Sequence, residues 1–170
     1  MRSILAGVAA ASLVLAAACT QQAPSDEMGP MPVVAALYDF GGLPATQDER
    51  ETYFTRELAT ALTANAETGG PGVLDFDYRS WANDPEVENI RYRVGVHSGD
   101  GHAEISTNFS YSVGGAMDLR WDMCRRADGQ WRIENITAQP LPTEEGAPLE
   151  EAVSIRTLLG ISEMPPAECV

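Results

Sequence analysis

The chain has 170 residues, of which 44% are hydrophobic and 7% aromatic, and this composition suits one globular domain with a single core. Its formal net charge is −14. An acidic excess of this size disfavours binding to nucleic acid and electrostatic docking on anionic lipid, because both partners are themselves negatively charged.

An export signal is predicted at the N-terminus. Residues 1–3 form a short positive segment, and residues 4–15 form an apolar run that is too short to span a bilayer comfortably. Ala16 and Ala18 then precede Cys19. Ordinary secretory cleavage after Ala18 would release a soluble protein, whereas the small residues before Cys19 also resemble the lipobox of bacterial lipoproteins, in which the cysteine becomes the lipid-modified first residue.

The cysteine count favours the lipoprotein. If Cys19 carries lipid, Cys124 and Cys169 remain as a pair that can form a disulfide in an oxidising compartment. If Cys19 stays free, one exported thiol is left over. We therefore predict a signal peptide over residues 1–18, lipidation at Cys19, and a protein anchored by its lipid at the bacterial cell envelope and facing the periplasm.

A flexible tether and two helices are predicted next. Residues 19–32 are polar and proline-rich without apolar periodicity, as is typical of a flexible linker. The apolar run at residues 33–40 predicts a first helix, although the run is too brief to exclude a strand. Thr46 and Glu49 form a capping box that begins a second helix. The second helix carries one apolar stripe, which we expect to cover the sheet: Phe54, Leu58, Ala61 and Leu62.

Four antiparallel strands are predicted between residues 87 and 137, each from the alternation of apolar and polar residues. Short turn-forming segments at residues 98–101, 113–115 and 127–129 join them, so that consecutive strands become neighbours in a meander. Arg132 and Glu134 are predicted to face outward. The residues predicted to face the core are Ile90, Tyr92, Val94, Val96, Ala103, Ile105, Phe109, Tyr111, Met117, Leu119, Trp121, Met123, Trp131 and Ile133.

The C-terminal part is predicted to return to the sheet. Residues 149–159 read as a last helix, which closes a single α+β domain over residues 33–160 and leaves a tail at 161–170. Cys124 has the parity of the polar positions in the third strand, so it lies off the apolar face. A tail that crosses the back of the sheet would bring Cys169 to it, and we predict a disulfide between the two.

The order of these elements resembles a known superfamily. The closing hairpin, with a polar turn followed by Trp131-x-Ile133-x-x-Ile136, is similar to the last strands of nuclear-transport-factor-two-like (cystatin-like cone) domains. The second helix followed by Leu74-Asp75-Phe76-Asp77 is similar to a subgroup of exported bacterial proteins of unknown function in that superfamily. The resemblance covers about residues 33–137. It implies a cone-like, curved sheet wrapped around a long helix, and it implies no particular activity.

The segment between the second helix and the sheet is the predicted ligand-binding region, because it mixes carboxylates with aromatic residues. Apolar pockets with a few convergent polar groups are where small ligands bind. The alternative is that the aromatic residues are core. The candidate ligand-binding residues are Asp75, Asp77, Tyr78, Trp81, Arg120 and Trp121.

Metal and cofactor sites are not predicted. The spacing from Asp75 to Glu86 partly matches a calcium loop, but Arg79 stands at a ligand position and Ser80 replaces the required glycine. An acidic loop in which Asp75 or Asp77 caps a turn or pairs with Arg79 explains the same residues. His97 and His102 are expected to be exposed near a turn, and no nucleophile elbow supports catalysis by serine.

The predicted function is therefore a non-enzymatic binding or accessory role in the cell envelope. The partners would be the membrane, through the lipid, and an envelope protein or a small molecule. The alternative is a small enzyme that uses Asp75 or Asp77 as a general base. If the protein is an enzyme, one of these carboxylates should be buried in a cavity beside an aromatic wall. If it is a binding protein, the interior should be filled and an exposed patch should be present instead.

Overall fold

The computed structural model describes residues 29–68, 74–83, 86–98, 101–142, 150–162 and 166–169. The predicted signal peptide and Cys19 lie outside these residues. Within them the α+β class is confirmed, with helices first and an antiparallel sheet after them. The elements are α1 (Pro30–Asp39), α2 (Gln47–Tyr53), α3 (Arg56–Thr68), β1 (Val87–Ser98), β2 (His102–Tyr111), β3 (Ala116–Arg125), β4 (Trp131–Leu141), β5 (Val153–Ser154) and α4 (Ile155–Leu159).

The sheet of the described residues has five strands in the order β1-β2-β3-β4-β5, not the four that we predicted. The fifth arises because residues 153–154, predicted as part of the last helix, pair with Thr137 and Ala138 of β4. Helix α4 begins only after them, at Ile155. The side chain of Ser154 caps it by accepting hydrogen bonds from the backbone N–H groups of Arg156 and Thr157.

The second predicted helix is two helices. Its capping box is present as predicted, with Thr46 and Glu49 bonded to each other's backbone. The chain leaves the helical conformation at Phe54, whose backbone pairs with Ile133 of β4, and the N–H of Thr55 donates to the carbonyl of Ile133 at 3.0 Å. The break lets Phe54 insert into the core, where it is 1% exposed.

Helix α1 lies directly on the sheet, and α2, the first part of the second predicted helix, also contacts it through β4. Helix α1 contacts β1, β2 and β4, and the ring of Tyr38 packs edge-on against Trp121 at a centroid distance of 5.8 Å. The helix begins at Pro30, three residues before the predicted start. Helix α3 packs on α2 and α4. No helix in the described part of the chain is long and apolar enough to cross a membrane.

Strand β1 departs from the predicted burial. Ile90 and Val94 were expected in the core, but they are 37% and 46% exposed. Val94 pairs with the buried Ile105, so it lies on the inner face of the sheet at its edge. Tyr92 is half-buried and meets α1 through Tyr38 at a centroid distance of 6.0 Å. The pairing of β1 with β2 shifts in register between Glu88 and Arg91 and again between Val94 and His97, so the strict alternation predicted for β1 is interrupted.

Strand β4 also departs from simple alternation. Asp122 pairs with Asn135 and Met123 with Ile133, so Glu134 is an extra residue at a bulge. The bulge brings both Ile133 and Ile136 into the core. Arg132, predicted to face outward, is buried, and its Nε donates to the carbonyl of Glu51 in α2 at 2.9 Å. Trp131 is half-buried rather than a core residue.

Candidate functional site

The loop at residues 74–83 is held by an ion pair. The guanidinium of Arg79 donates to the Asp77 carboxylate through Nε at 3.1 Å and Nη2 at 2.6 Å, and the backbone N–H of Arg79 donates to the same carboxylate at 2.8 Å. This pairing was one of the two explanations that we offered for the acidic residues. Asp75 is exposed.

Arg79 also fastens the loop to α1. Its Nη1 donates to the carbonyl oxygens of Leu37 at 3.3 Å and Phe40 at 3.0 Å, which lie at the C-terminal end of that helix. The hydroxyl of Tyr38 donates in return to the Arg79 carbonyl at 2.5 Å. The oxygen atoms of Asp77 are thus occupied by a structural cation, which leaves this carboxylate poorly placed to act as a general base.

Three other predicted site residues do not line a common pocket. Arg120 and Trp121 are consecutive on β3 and therefore point to opposite faces of the sheet. Arg120 lies on the outer face, 3.1 Å from Asp122 and 3.7 Å from Glu104. Trp121 is fully buried on the inner face. Tyr78 is buried too, with its ring edge-on to Phe54 at 5.5 Å. Trp121 and Tyr78 are therefore core residues, which was the alternative to their forming a ligand-binding pocket.

Trp81, another predicted site residue, lines a large cleft. The cleft has a volume of about 720 Å³, and Asn83, Glu86, Tyr111 and Val113 also line it. The backbone of Trp81 has φ of 55°, a left-handed conformation that is unfavourable for a residue with a large side chain. Two hydrogen bonds, from the N–H groups of residues 80 and 81 to the Asp77 carbonyl, hold it there.

Ring packing and a hydrogen bond hold the aromatic residues of the cleft in place. The ring of Phe76 packs on that of Trp81 at a centroid distance of 4.9 Å. The hydroxyl of Tyr111 donates to the Ser80 carbonyl at 2.6 Å, which ties the end of β2 to the loop, and partial burial raises the pKa of Tyr111. Val113 is 95% exposed at the rim. Sequence reasoning placed Tyr111 in the core because its alternation continued from β2, and it missed this contact between loop and strand.

The predicted disulfide is confirmed. The sulfur atoms of Cys124 and Cys169 are 2.08 Å apart, and their Cα atoms are 5.6 Å apart. Arg126 and Cys169 form an antiparallel bridge, so the tail crosses the end of β3 as expected. Cys124 is fully buried, although it has the parity of the outer face.

A carboxylate and an imidazole lie beside the disulfide. A carboxylate oxygen of Glu134 is within 4.8 Å of both sulfur atoms, and its Oε1 is 3.3 Å from Nδ1 of His102. His102, expected to be exposed, is half-buried at the start of β2. Burial raises the pKa of Glu134, and the neighbouring His102 opposes this shift. Because the sulfur atoms bond to each other, the cluster offers no thiolate to a metal ion.

The scan against protein-family models found no match, and the searches of curated proteins and of solved structures found no protein similar to this chain.

Proposed function

We propose that this protein is a lipid-anchored protein of the bacterial cell envelope with a non-enzymatic binding role, and that its ligand contacts the cleft beside Trp81. The observation that carries the proposal is Trp81 itself. A bulky residue in a left-handed conformation persists only where the surrounding structure enforces it, and such strain clusters at binding sites. Here the enforced conformation holds an indole ring against the cleft.

The chemistry of the lining suggests the kind of ligand. Trp81 and Tyr111 offer aromatic surface, while Asn83, Glu86 and Ser112 offer polar groups around it. Such a combination suits a ligand with one apolar face and several hydroxyl or amide groups, as in the N-acetylated sugar rings of the envelope glycan. We also propose that the sheet curves into a cone, as the resemblance to cystatin-like cone domains implies.

The binding role has more support than the enzyme alternative. The interior between α1 and the sheet is filled by fully buried side chains such as Leu37 and Trp121. Asp77 is engaged by Arg79, and Asp75 is exposed. A general base needs a carboxylate that can reach a bound substrate, and neither residue combines this reach with a cavity.

The export and anchoring part of the proposal rests on residues 1–19 and on the oxidised cysteine pair. Intact-mass analysis of protein extracted from membranes should find a diacylglyceryl group at Cys19. A Cys19→Ala variant should be misprocessed or soluble. Unmodified soluble protein that begins at Cys19 would show ordinary secretion instead.

Ligand binding is tested by fluorine NMR of protein labelled with 5-fluorotryptophan. A soluble chitin-type oligomer of N-acetylglucosamine is added in increasing amounts. We expect the signal of Trp81, assigned with Trp81→Phe, to shift and saturate, while the signal of the fully buried Trp121 serves as the internal control and stays in place. Equal shifts of both signals, or no shift at Trp81, would count against a glycan site in this cleft.

A further inference from the structure

Arg50 of α2 is a buried cation that has few partners among the residues the structure describes. It is 7% exposed, and its one hydrogen bond runs from Nη1 to the hydroxyl oxygen of Thr63 at 2.8 Å. A guanidinium has five N–H donors, so most of its capacity is unused. Among the described residues, no carboxylate lies within 4 Å of it.

Three other arginines that the structure buries wholly or in part are satisfied. Arg79 pairs with Asp77 at 2.6 Å, and Arg156 pairs with Glu57 at 2.6 Å. Arg132 donates to backbone carbonyl groups and to Gln130. Arg50 differs from all three, because a buried charge without a counter-charge is normally costly and is therefore rare.

A second unsatisfied donor lies at the same place. Tyr78 is 4% exposed, and its hydroxyl has no hydrogen-bond partner. Burial raises the pKa of Tyr78 above its usual value, so the phenol keeps its proton at neutral pH. The positive charge of Arg50 opposes this shift.

Arg50 and Tyr78 both line one small cleft between α2, α3 and the loop at residues 74–83. Its volume is about 90 Å³. The remaining walls are mostly apolar: Leu43, Pro44, Leu62, Leu74 and Phe76, with Asn65 and Ala66 at the side. The cleft thus combines a cation, a neutral donor and apolar walls.

We propose that this cleft binds a small carboxylate with a short aliphatic chain. The Arg50 guanidinium takes the carboxylate in the two-pronged geometry that it forms best, and the Tyr78 hydroxyl donates a third hydrogen bond. The chain of the ligand lies against Leu62, Leu74 and Phe76. This site is separate from the cleft beside Trp81, and the proposal does not depend on the function proposed above.

The test is an NMR titration of the full chain in mild detergent, observed at the side-chain Nε–H of arginine. Sodium butyrate is the probe, and inorganic phosphate is the comparison anion. We expect the Arg50 signal to shift and saturate with butyrate in the millimolar range, as befits a ligand of six heavy atoms. Phosphate should bind at least tenfold more weakly because it cannot use the apolar walls.

Two variants and one control make the result specific. Tyr78→Phe keeps the ring packing and should weaken butyrate binding about tenfold, while its ligand-free melting temperature stays equal or rises because an unpaired hydroxyl is removed. Arg50→Met should abolish saturable binding. Arg56→Met, at a guanidinium that is 71% exposed, is the matched control and should bind butyrate like the wild type.

The proposal is overturned if the Arg50 signal does not saturate, if phosphate binds as tightly as butyrate, or if Tyr78→Phe binds butyrate with unchanged affinity. The Tyr78→Phe result decides the matter even if Arg50→Met fails to fold.

Discussion

The indole Nε1–H of Trp121 donates a hydrogen bond to the hydroxyl oxygen of Thr107 across 2.9 Å, and both side chains are fully buried. The bond links β3 to β2 on the inner face of the sheet. It satisfies the one polar atom of the largest core side chain. A polar group in this position has no access to water if its partner is removed.

Replacing Thr107 by Val should therefore lower the free energy of unfolding by about 1–3 kcal/mol, since the shape is kept but the buried indole N–H loses its acceptor. Chemical denaturation monitored by far-UV circular dichroism measures this change. Trp121→Phe removes the indole N–H, so in that background the change Thr107→Val should lower the free energy of unfolding by less than it does in the wild type. Strict additivity of the two single changes would mean that the bond contributes nothing.

The disulfide between Cys124 and Cys169 pins the tail to the sheet over a separation of 45 residues. A loop of this length is expected to contribute about 4 kcal/mol through the entropy of the unfolded chain. The Cys124→Ala, Cys169→Ala double variant should lose about that much, and limited proteolysis should cut beyond residue 150 before the meander melts. Simultaneous cleavage throughout the chain would contradict a tail that depends on the disulfide.

The stability of the folded protein should depend on pH through Glu134. Burial raises its pKa above the usual 4.5, so between that value and the raised pKa the folded protein holds more protons than the unfolded chain. Stability therefore falls as the pH rises through this window. Glu134→Gln should remove this decrease in stability. The free energy of unfolding of the variant minus that of the wild type should therefore increase with pH and then level off.

Urea denaturation at a series of pH values measures this difference. Glu104→Gln, on the outer face of the sheet, is the matched control and should follow the wild-type profile. A Glu134→Gln curve that runs parallel to wild type across the window would show that the carboxyl group is not shifted in the folded protein.

The ion pair between Arg156 and Glu57 joins α4 to α3. The Arg156 side chain is 3% exposed and that of Glu57 is 44% exposed, so the arginine is buried and its partner is reached from the surface. Glu57→Gln should destabilise the protein by about 2 kcal/mol, which is less than for a fully buried pair because water screens the carboxylate.

Glu51→Gln is the matched control for this pair. Glu51 lies 3.6 Å from an Arg56 side chain that is 71% exposed, so the change should cost less than about 0.5 kcal/mol. Thermal unfolding of both variants under one condition makes the comparison. Equal melting temperatures would show that burial of Arg156 does not strengthen the pair.

The local sequence determined the elements whose signals need no distant partner. The alternation in β2 and β3 predicts their inner and outer faces, because side chains of a strand alternate strictly. The capping box of Thr46 and Glu49 is a local set of hydrogen bonds and was predicted from four residues. The disulfide was predicted from the expected export of the chain, the assignment of Cys19 to lipid and the position of Cys124 off the apolar face, and it is present.

Tertiary structure decided what depends on packing between distant segments. The helix break at Phe54 follows from backbone pairing with Ile133, far along the chain, and the bulge at Glu134 shifts the parity of β4 without a local signal. The ion pair of Asp77 with Arg79 was foreseen, but its attachment to α1 was not. Arg50 and Tyr78 are 28 positions apart in sequence, and only folding brings them to one cleft. Their burial could not be predicted from the local sequence, because it depends on the packing of the whole core.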